Sequence, residues 1–223
     1  MQKGGESLNK VRNWEKGTSA PIPLAKYERF KETLIEYSEK NAERNLMLFI
    51  LGRATGYRLG DLVGLTIGQL KDALEDGYFY IQESKQYEQW KAALQEDPKT
   101  KRKKPEPRRY DIGKNLKKHL SEYVKGKKRS EYAFPSNKNQ NEHISRKAYS
   151  SILREVGKSM GLKNISGHSL RKTYATKLYI DSNKDIEYVR VAINHQSLEE
   201  TKRYLGIKEQ MIREAAQFSD EDI

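Results

Sequence analysis

Apolar residues recur at helical spacing through most of this chain and at strand spacing in one short stretch. Tyr27, Phe30, Leu34 and Tyr37 fall three or four apart, on one helical face, behind Pro21 and Pro23. Asn45 to Ala54 is apolar on most sides and predicts a buried helix, which Gly56 can end. Leu59, Leu62, Val63 and Leu65 point inward from a short helix over 59–65. Asp76-Gly77 is a turn signal, and Tyr78 to Gln82, aromatic and β-branched, predicts a strand. Arg108 to Ile112 is its return strand. Leu116, Leu120 and Val124 share a helical face, and Ser145 caps a helix running through Val156. Further helices are expected at His168 to Ile180 and Ile186 to Ile193. Ser197-Leu198-Glu199-Glu200 has capping-box spacing, so a helix starts there and carries Tyr204 in its second turn. Ile207, Met211, Ile212 and Ala215 mark a weakly amphipathic tail helix over 207–223. The expected fold class is α+β, mostly α-helical, with one small antiparallel β-sheet.

Two segments fall outside this periodicity. Residues 1–20 are polar, Gly-containing and aperiodic, and read as a flexible tail or interdomain linker. Residues 21–223 read as one domain. Between the two strands lies a long basic insertion over 86–107, an extension of the β-hairpin. Tyr87 to Leu94 suits a helical turn or two. Lys99-Thr100-Lys101-Arg102-Lys103-Lys104 is basic throughout except for Thr100, and prolines follow. Such a segment is expected to be mobile without a ligand and to grip phosphates with one.

Charge strengthens that expectation. Among 223 residues, 43 Lys and Arg face 31 Asp and Glu, a net charge of +12. Neutralising phosphates with such cations releases bound counterions, so a polyanion such as double-stranded DNA is the favoured partner. The longest apolar run, Leu46 to Leu51, is too short to span a bilayer, and the N-terminus has no secretory h-region. With no cysteine, disulfides and Cys-based zinc sites are excluded. A cytoplasmic, DNA-associated location is expected.

The candidate chemistry comes from residues far apart in the chain. His168 and Arg171 lie three apart on one helix face. His195 precedes a helix start, and Tyr204 follows it by nine residues. Arg58 lies far upstream. Two guanidiniums, two imidazoles and a phenol suit attack by a tyrosine on a phosphodiester. Planar, permanently charged Arg forks match the non-bridging oxygens where charge builds. Preorganised donors of this kind contribute ~3 kcal/mol each to a barrier. The phenol needs a base, since a free Tyr has a pKa near ~10, and the leaving oxygen needs an acid. No metal or other cofactor is required if the protein supplies every cation.

Three stretches carry a resemblance. Thr55-Gly56-Tyr57-Arg58-Leu59-Gly60-Asp61-Leu62-Val63-Gly64-Leu65 resembles the first box of the tyrosine recombinases, the phage integrase family. Gly167-His168-Ser169-Leu170-Arg171-Lys172-Thr173-Tyr174-Ala175-Thr176 is similar to their His-x-x-Arg box. Ile193-Asn194-His195-Gln196-Ser197, followed by Thr201-Lys202-Arg203-Tyr204, is similar to the last, where the family has Leu-Gly-His. The resemblance covers residues 21–210 and implies a DNA breaking-and-rejoining catalytic domain. Tyr204 would form a covalent 3′-phosphotyrosine and free a 5′-hydroxyl. Arg58 and Arg171 would clamp the scissile phosphate, His168 would act as base or proton shuttle, and His195 would hydrogen-bond a non-bridging oxygen. Asp61 would orient an Arg or a backbone amide. The family's general acid is a hairpin Lys. Lys85, in Gln82-Glu83-Ser84-Lys85, has the right distance from the strand, although Gln86 replaces the Thr that usually follows. Lys99, before Thr100, matches better locally but lies farther away. Lys85 is the preferred assignment.

The resemblance further implies a homo-tetramer on DNA, joined through the C-terminal tail, and a bacterial or phage origin. The family usually places a separate helical domain upstream, so this chain is expected to be either an excised catalytic domain or a small recombinase without that module, and the linker-like residues 1–20 favour the first. A topoisomerase-like relaxing enzyme and an inert basic DNA-binding protein are the alternative readings.

Overall fold

In a computed structural model, residues 18–139 and 141–207 are described, together with 211, 212, 216, 217 and 220. The order is α1 (Tyr27–Ser38), α2 (Ala42–Thr55), α3 (Leu59–Val63), α4 (Ile67–Asp76), β1 (Tyr78–Ile81), α5 (Ser84–Glu96), β2 (Arg108–Asp111), α6 (Lys114–Tyr123), α7 (Arg146–Ser159), α8 (Gly167–Asp181), α9 (Ile186–Ala192) and α10 (Leu198–Leu205). The α+β expectation holds. Helices dominate, and β1 and β2 form one two-stranded antiparallel sheet with Tyr78 opposite Asp111 and Ile81 opposite Arg108.

The most apolar segment organises the rest. Helix α2 buries Met47, Leu48, Phe49 and Leu51, and α1, α3, α6 and α8 lie against it. Phe30 and Leu34 of α1 are fully buried, with the Phe30 ring stacked on Phe49 at 5.3 Å. Leu116 and Leu120 of α6 and Tyr149, Leu153 and Val156 of α7 complete the main core. A second, smaller cluster of Ala175, Val189 and Ile193 joins α8 to α9, and Tyr204 and Leu205 of α10 pack on it.

Helix ends aim the chain at the site. Gly56 ends α2 in the left-handed conformation (φ 62°), donating its N–H to Gly52 O at 3.0 Å. A β-carbon there would also run into the Tyr174 ring, so glycine is required twice over. Ser145 caps α7 by accepting from the Ala148 N–H, and α7 continues past Val156 to Ser159. Ser197 likewise accepts from the Glu200 N–H, but Glu200 reaches back to the Gln196 N–H, one residue before the position a full capping box would use.

Three expectations are revised. Tyr37 is exposed, and Ser38 turns inward instead to accept from Asn45 Nδ2 at 2.9 Å. Helix α4, opened by a Thr66–Gln69 capping box, fills the stretch between the short helix and the first strand, where the apolar pattern predicts no element. The insertion is not a longer hairpin. Its helix, α5, starts at Ser84 and runs more than three turns. The basic segment then folds back along α5, where Trp90 Nε1 donates to Arg102 O at 3.2 Å and Lys104 Nζ lies over the Tyr87 and Trp90 rings. The expected linker lies outside the described residues up to 17, and Ser19 and Ala20 already bond to Ser166 and Asn164. Of the tail, Ala215 lies outside them too, whereas Met211 and Ile212 are helical and exposed.

The difference between Leu34 and Tyr37 is measurable. Leu34→Ala removes a fully buried side chain and is expected to cost about 2–5 kcal/mol in urea unfolding. Tyr37→Ala is expected to change stability by no more than about 0.5 kcal/mol.

Candidate active site

Strand β1 ends by turning a carboxylate inward. Glu83, fully buried, accepts from Arg171 Nη1 at 2.6 Å and lies 2.9 Å from Arg58 Nη1. Arg171 is further held by the carbonyls of Gly56 (2.7 Å) and Ile193. One guanidinium therefore joins the α2–α3 turn, the end of β1 and the end of α9. Arg108 closes the cluster from β2. It donates to Thr55 O and Ala192 O, and its guanidinium lies 3.8 Å from the Tyr57 ring centroid.

The phenol comes from the opposite side. The edge of the Tyr204 ring meets His195, with centroids 5.0 Å apart and planes at 89°. Lys172 Nζ lies over the Tyr204 ring at 5.2 Å. The phenol oxygen is shielded from solvent and makes no well-formed hydrogen bond, although the charges of Arg171 and Arg58 act on it. His195 Nδ1 lies 3.2 Å from Thr201 Oγ1, and its Nε2 lies 3.8 Å from Glu200 Oε1. His168, on the first turn of α8, feels the charges of Arg171, Arg58, Arg146 and Lys85.

Lys85 is the second residue of α5, and with Arg58, Gln89, Arg102 and Glu200 it lines a cavity of about 250 Å³. Lys99 sits in the turn beyond α5, exposed, away from this cavity. Asp61 accepts from the Ser84 N–H at 3.0 Å, so it orients a backbone amide, that of the first residue of α5. Arg58, Lys85, His168, Arg171, His195 and Tyr204 thus gather in one place.

Residues 27–211 match the profile of the Phage integrase family. The chain belongs to that family. It is a site-specific DNA recombinase of the tyrosine type. It is 33% identical over 193 residues to a probable integrase/recombinase, YoeC, of Bacillus subtilis, spanning 86% of this chain and 93% of that one. It is 25% identical to the tyrosine recombinase XerA of Pyrococcus furiosus, spanning 95% of this chain and 66% of XerA. In fold it is similar to XerH bound to a palindromic difH substrate after cleavage, with TM-score 0.60, 22% identity and coverage of 92% and 54% of the two chains. It is also similar to the Tn1549 transposon integrase in complex with transposon right end DNA, with TM-score 0.62, 15% identity and coverage of 96% and 72%.

The sequence pattern of this recombinase does not single out Glu83, Arg108 or Lys172. Glu83 has one local signal, an acidic residue two positions before the candidate Lys at a strand end. Arg108 looks like one of two adjacent arginines at the start of the return strand, just past the basic insertion. Lys172 stands out only as a member of its box.

The environment sets the protonation states. Burial pushes the Tyr204 phenol up to about 12, against the lowering influence of Arg171 and Arg58. It is therefore a neutral phenol at pH 7. Burial lowers His195 to about 4, with Glu200 opposing and the two arginines adding to the effect. His168 is lowered by desolvation and by its four cationic neighbours. Both imidazoles are neutral at pH 7.

Removing the Glu83 charge tests the frame. Glu83→Gln leaves two buried guanidiniums without their counter-ion and is expected to cost about 3–5 kcal/mol in urea unfolding. His195 yields a pH prediction. The unfolded chain takes up that proton near pH ~6.5 and the folded protein only near 4, so stability falls as pH drops through that window. His195→Gln is expected to remove part of this slope, at most about 1.4 kcal/mol per pH unit, as read by unfolding at stepped pH.

Proposed function

We propose that this recombinase cleaves one strand of double-stranded DNA with Tyr204 as nucleophile and rejoins it to a new 5′ end. The observation that carries the reading is the convergence of Arg58, Arg171, His195 and Tyr204 around one buried carboxylate. The scissile phosphate docks beside the two guanidiniums, approached from Arg58, the more exposed of the pair, and their charge exceeds that of Glu83 by one. His168, neutral and ringed by cations, takes the phenol proton. The phenolate oxygen bonds to phosphorus as the bond from phosphorus to the 5′-oxygen breaks, and Lys85 protonates the departing oxygen. His195 donates from Nε2 to a non-bridging oxygen, which requires the Thr201 hydroxyl to turn from the Ser197 carbonyl and donate to Nδ1. The product is a 3′-phosphotyrosine and a free 5′-hydroxyl. Attack by another 5′-hydroxyl reverses these steps, so the bond energy is conserved without nucleotide hydrolysis.

The basic segment 99–104 tracks the DNA backbone. The relatives solved with DNA, among them XerH and the Tn1549 integrase, support duplex DNA as the partner. Assembly of four copies on DNA, through the tail beyond α10, and residence on the nucleoid belong to the same reading.

A nicked duplex that loses its 5′ product after cleavage is expected to trap a covalent adduct with the wild-type protein and none with Tyr204→Phe. Equal trapping by both would remove Tyr204 from the role. A 5′-bridging phosphorothiolate has a leaving group that needs no proton. It is expected to restore cleavage to Lys85→Ala, and restoration of Lys99→Ala instead would move the acid into the insertion.

A further inference from the structure

Three residues around Lys85 are each tied to a different part of the site. Glu83 engages Arg58 and Arg171, the Ser84 N–H is held by Asp61, and Gln86 reaches the segment that carries His195. The last contact is reciprocal. Gln86 Nε2 donates to the Asn194 carbonyl at 2.6 Å, and Asn194 Nδ2 donates back to Gln86 Oε1 at 2.9 Å. Asn194 Nδ2 also lies 3.4 Å from Glu83 Oε2. Gln86 is buried despite its amide, so its partner satisfies it where water does not.

Asn194 stands at φ 52°, a conformation that glycine adopts more easily than any side-chain-bearing residue. The strain gains the protein one thing, an amide aimed at Gln86. Gln86 and Asn194 are also places where this chain leaves the resembled pattern of Lys-Thr and Leu-Gly-His, the third being Ile193 in place of Leu. The first two departures touch. Among the described residues, no hydrogen bond or ion pair holds Lys85 Nζ itself. Its position follows from how the first turn of α5 is anchored.

We infer that Gln86 and Asn194 form a positioning clasp that fixes Lys85 relative to His195, taking over the alignment that a short hairpin would otherwise give. The inference rests on the reading of Lys85 as general acid. Without the clasp, the helix start is anchored to the two arginines and Asp61 but not to the segment that leads into Tyr204. A displacement of about 1 Å at the acid is enough to slow proton delivery by up to ~100-fold.

The test uses the full chain and a duplex sequence recovered by covalent capture from a random-sequence pool. It is made once with a normal phosphodiester and once with a 5′-bridging phosphorothiolate at the scissile position. Gln86→Thr is expected to cleave the normal substrate about 10- to 100-fold more slowly than wild type, and the phosphorothiolate within about 3-fold of it. Asn194→Gly relieves backbone strain, and its urea unfolding is measured beside wild type so that lost activity is separated from lost fold. It keeps the carbonyl that accepts from Gln86 and is expected to lose less activity than Gln86→Thr. The double variant is expected to match Gln86→Thr alone, because the same contact is removed twice. A Gln86→Thr protein with the wild-type rate, or one equally slow on both substrates, overturns the clasp while Lys85→Ala still shows phosphorothiolate rescue. If Lys85→Ala cleaves the normal substrate at the wild-type rate, the acid assignment falls and the clasp falls with it.

Discussion

A single buried carboxylate makes this site possible. Two guanidiniums held within reach of one oxygen repel each other by ~3 kcal/mol even at the effective dielectric of a protein surface, and by more in a dry interior. Glu83, fully buried between Arg58 and Arg171, turns that repulsion into attraction. The surrounding fold then follows from delivering three elements to one point. The Gly56 turn presents Arg58, the first half of α8 presents Arg171, and the end of β1 presents Glu83. The Gly56 and Ile193 carbonyls share Arg171 with the carboxylate, so backbone dipoles as well as charge hold it. The cluster keeps a net positive charge, which is what a phosphodiester needs to find there.

Much of the architecture is legible in the amino-acid sequence. The helical faces of α2, α6 and α7 are readable because apolar side chains at 3.6-residue spacing must be buried whatever the topology. Gly56 and Ser145 mark helix ends by backbone chemistry that acts within a few residues. Arg58, His168, Arg171, His195 and Tyr204 are readable only through the joint order of three boxes, and Lys85 only through its distance from the strand, since none carries a local signal of its own. What stays hidden depends on contacts distant in sequence. Glu83 and Arg108 are two charged residues in a chain that is 33% charged, and nothing near them announces that both are buried. Tyr37 and Ser38 exchange the expected exposure because Asn45, on the next helix, offers Ser38 a partner. Helix α4 is a different case, since its Thr66–Gln69 capping box is a local signal that the apolar pattern alone does not weigh.

The insertion shows how composition and structure diverge. A run of basic residues suggests a solvated loop, and the lysines of 99–104 are indeed exposed. Yet the segment is laid against aromatic rings of α5, with Lys104 over Tyr87 and Trp90 and Arg102 bonded through its carbonyl. Cations seated on ring faces keep their charge available while part of their stem is covered. The helix also converts Lys85 from a residue on a loop into one whose backbone is fixed by hydrogen bonds.

The division of the interior into a large core and a satellite has a mechanical meaning. Arg58 and Glu83 belong to the frame built on α2, whereas Tyr204 rides on α10, packed over a patch whose fully buried members are Ala175, Val189 and Ile193. Regions with few interior contacts open at lower free energy than the whole molecule. Tyr204 therefore stands on the smaller of the two interior units, and the Arg58–Glu83–Arg171 cluster is held by bonds in which α10 takes no part.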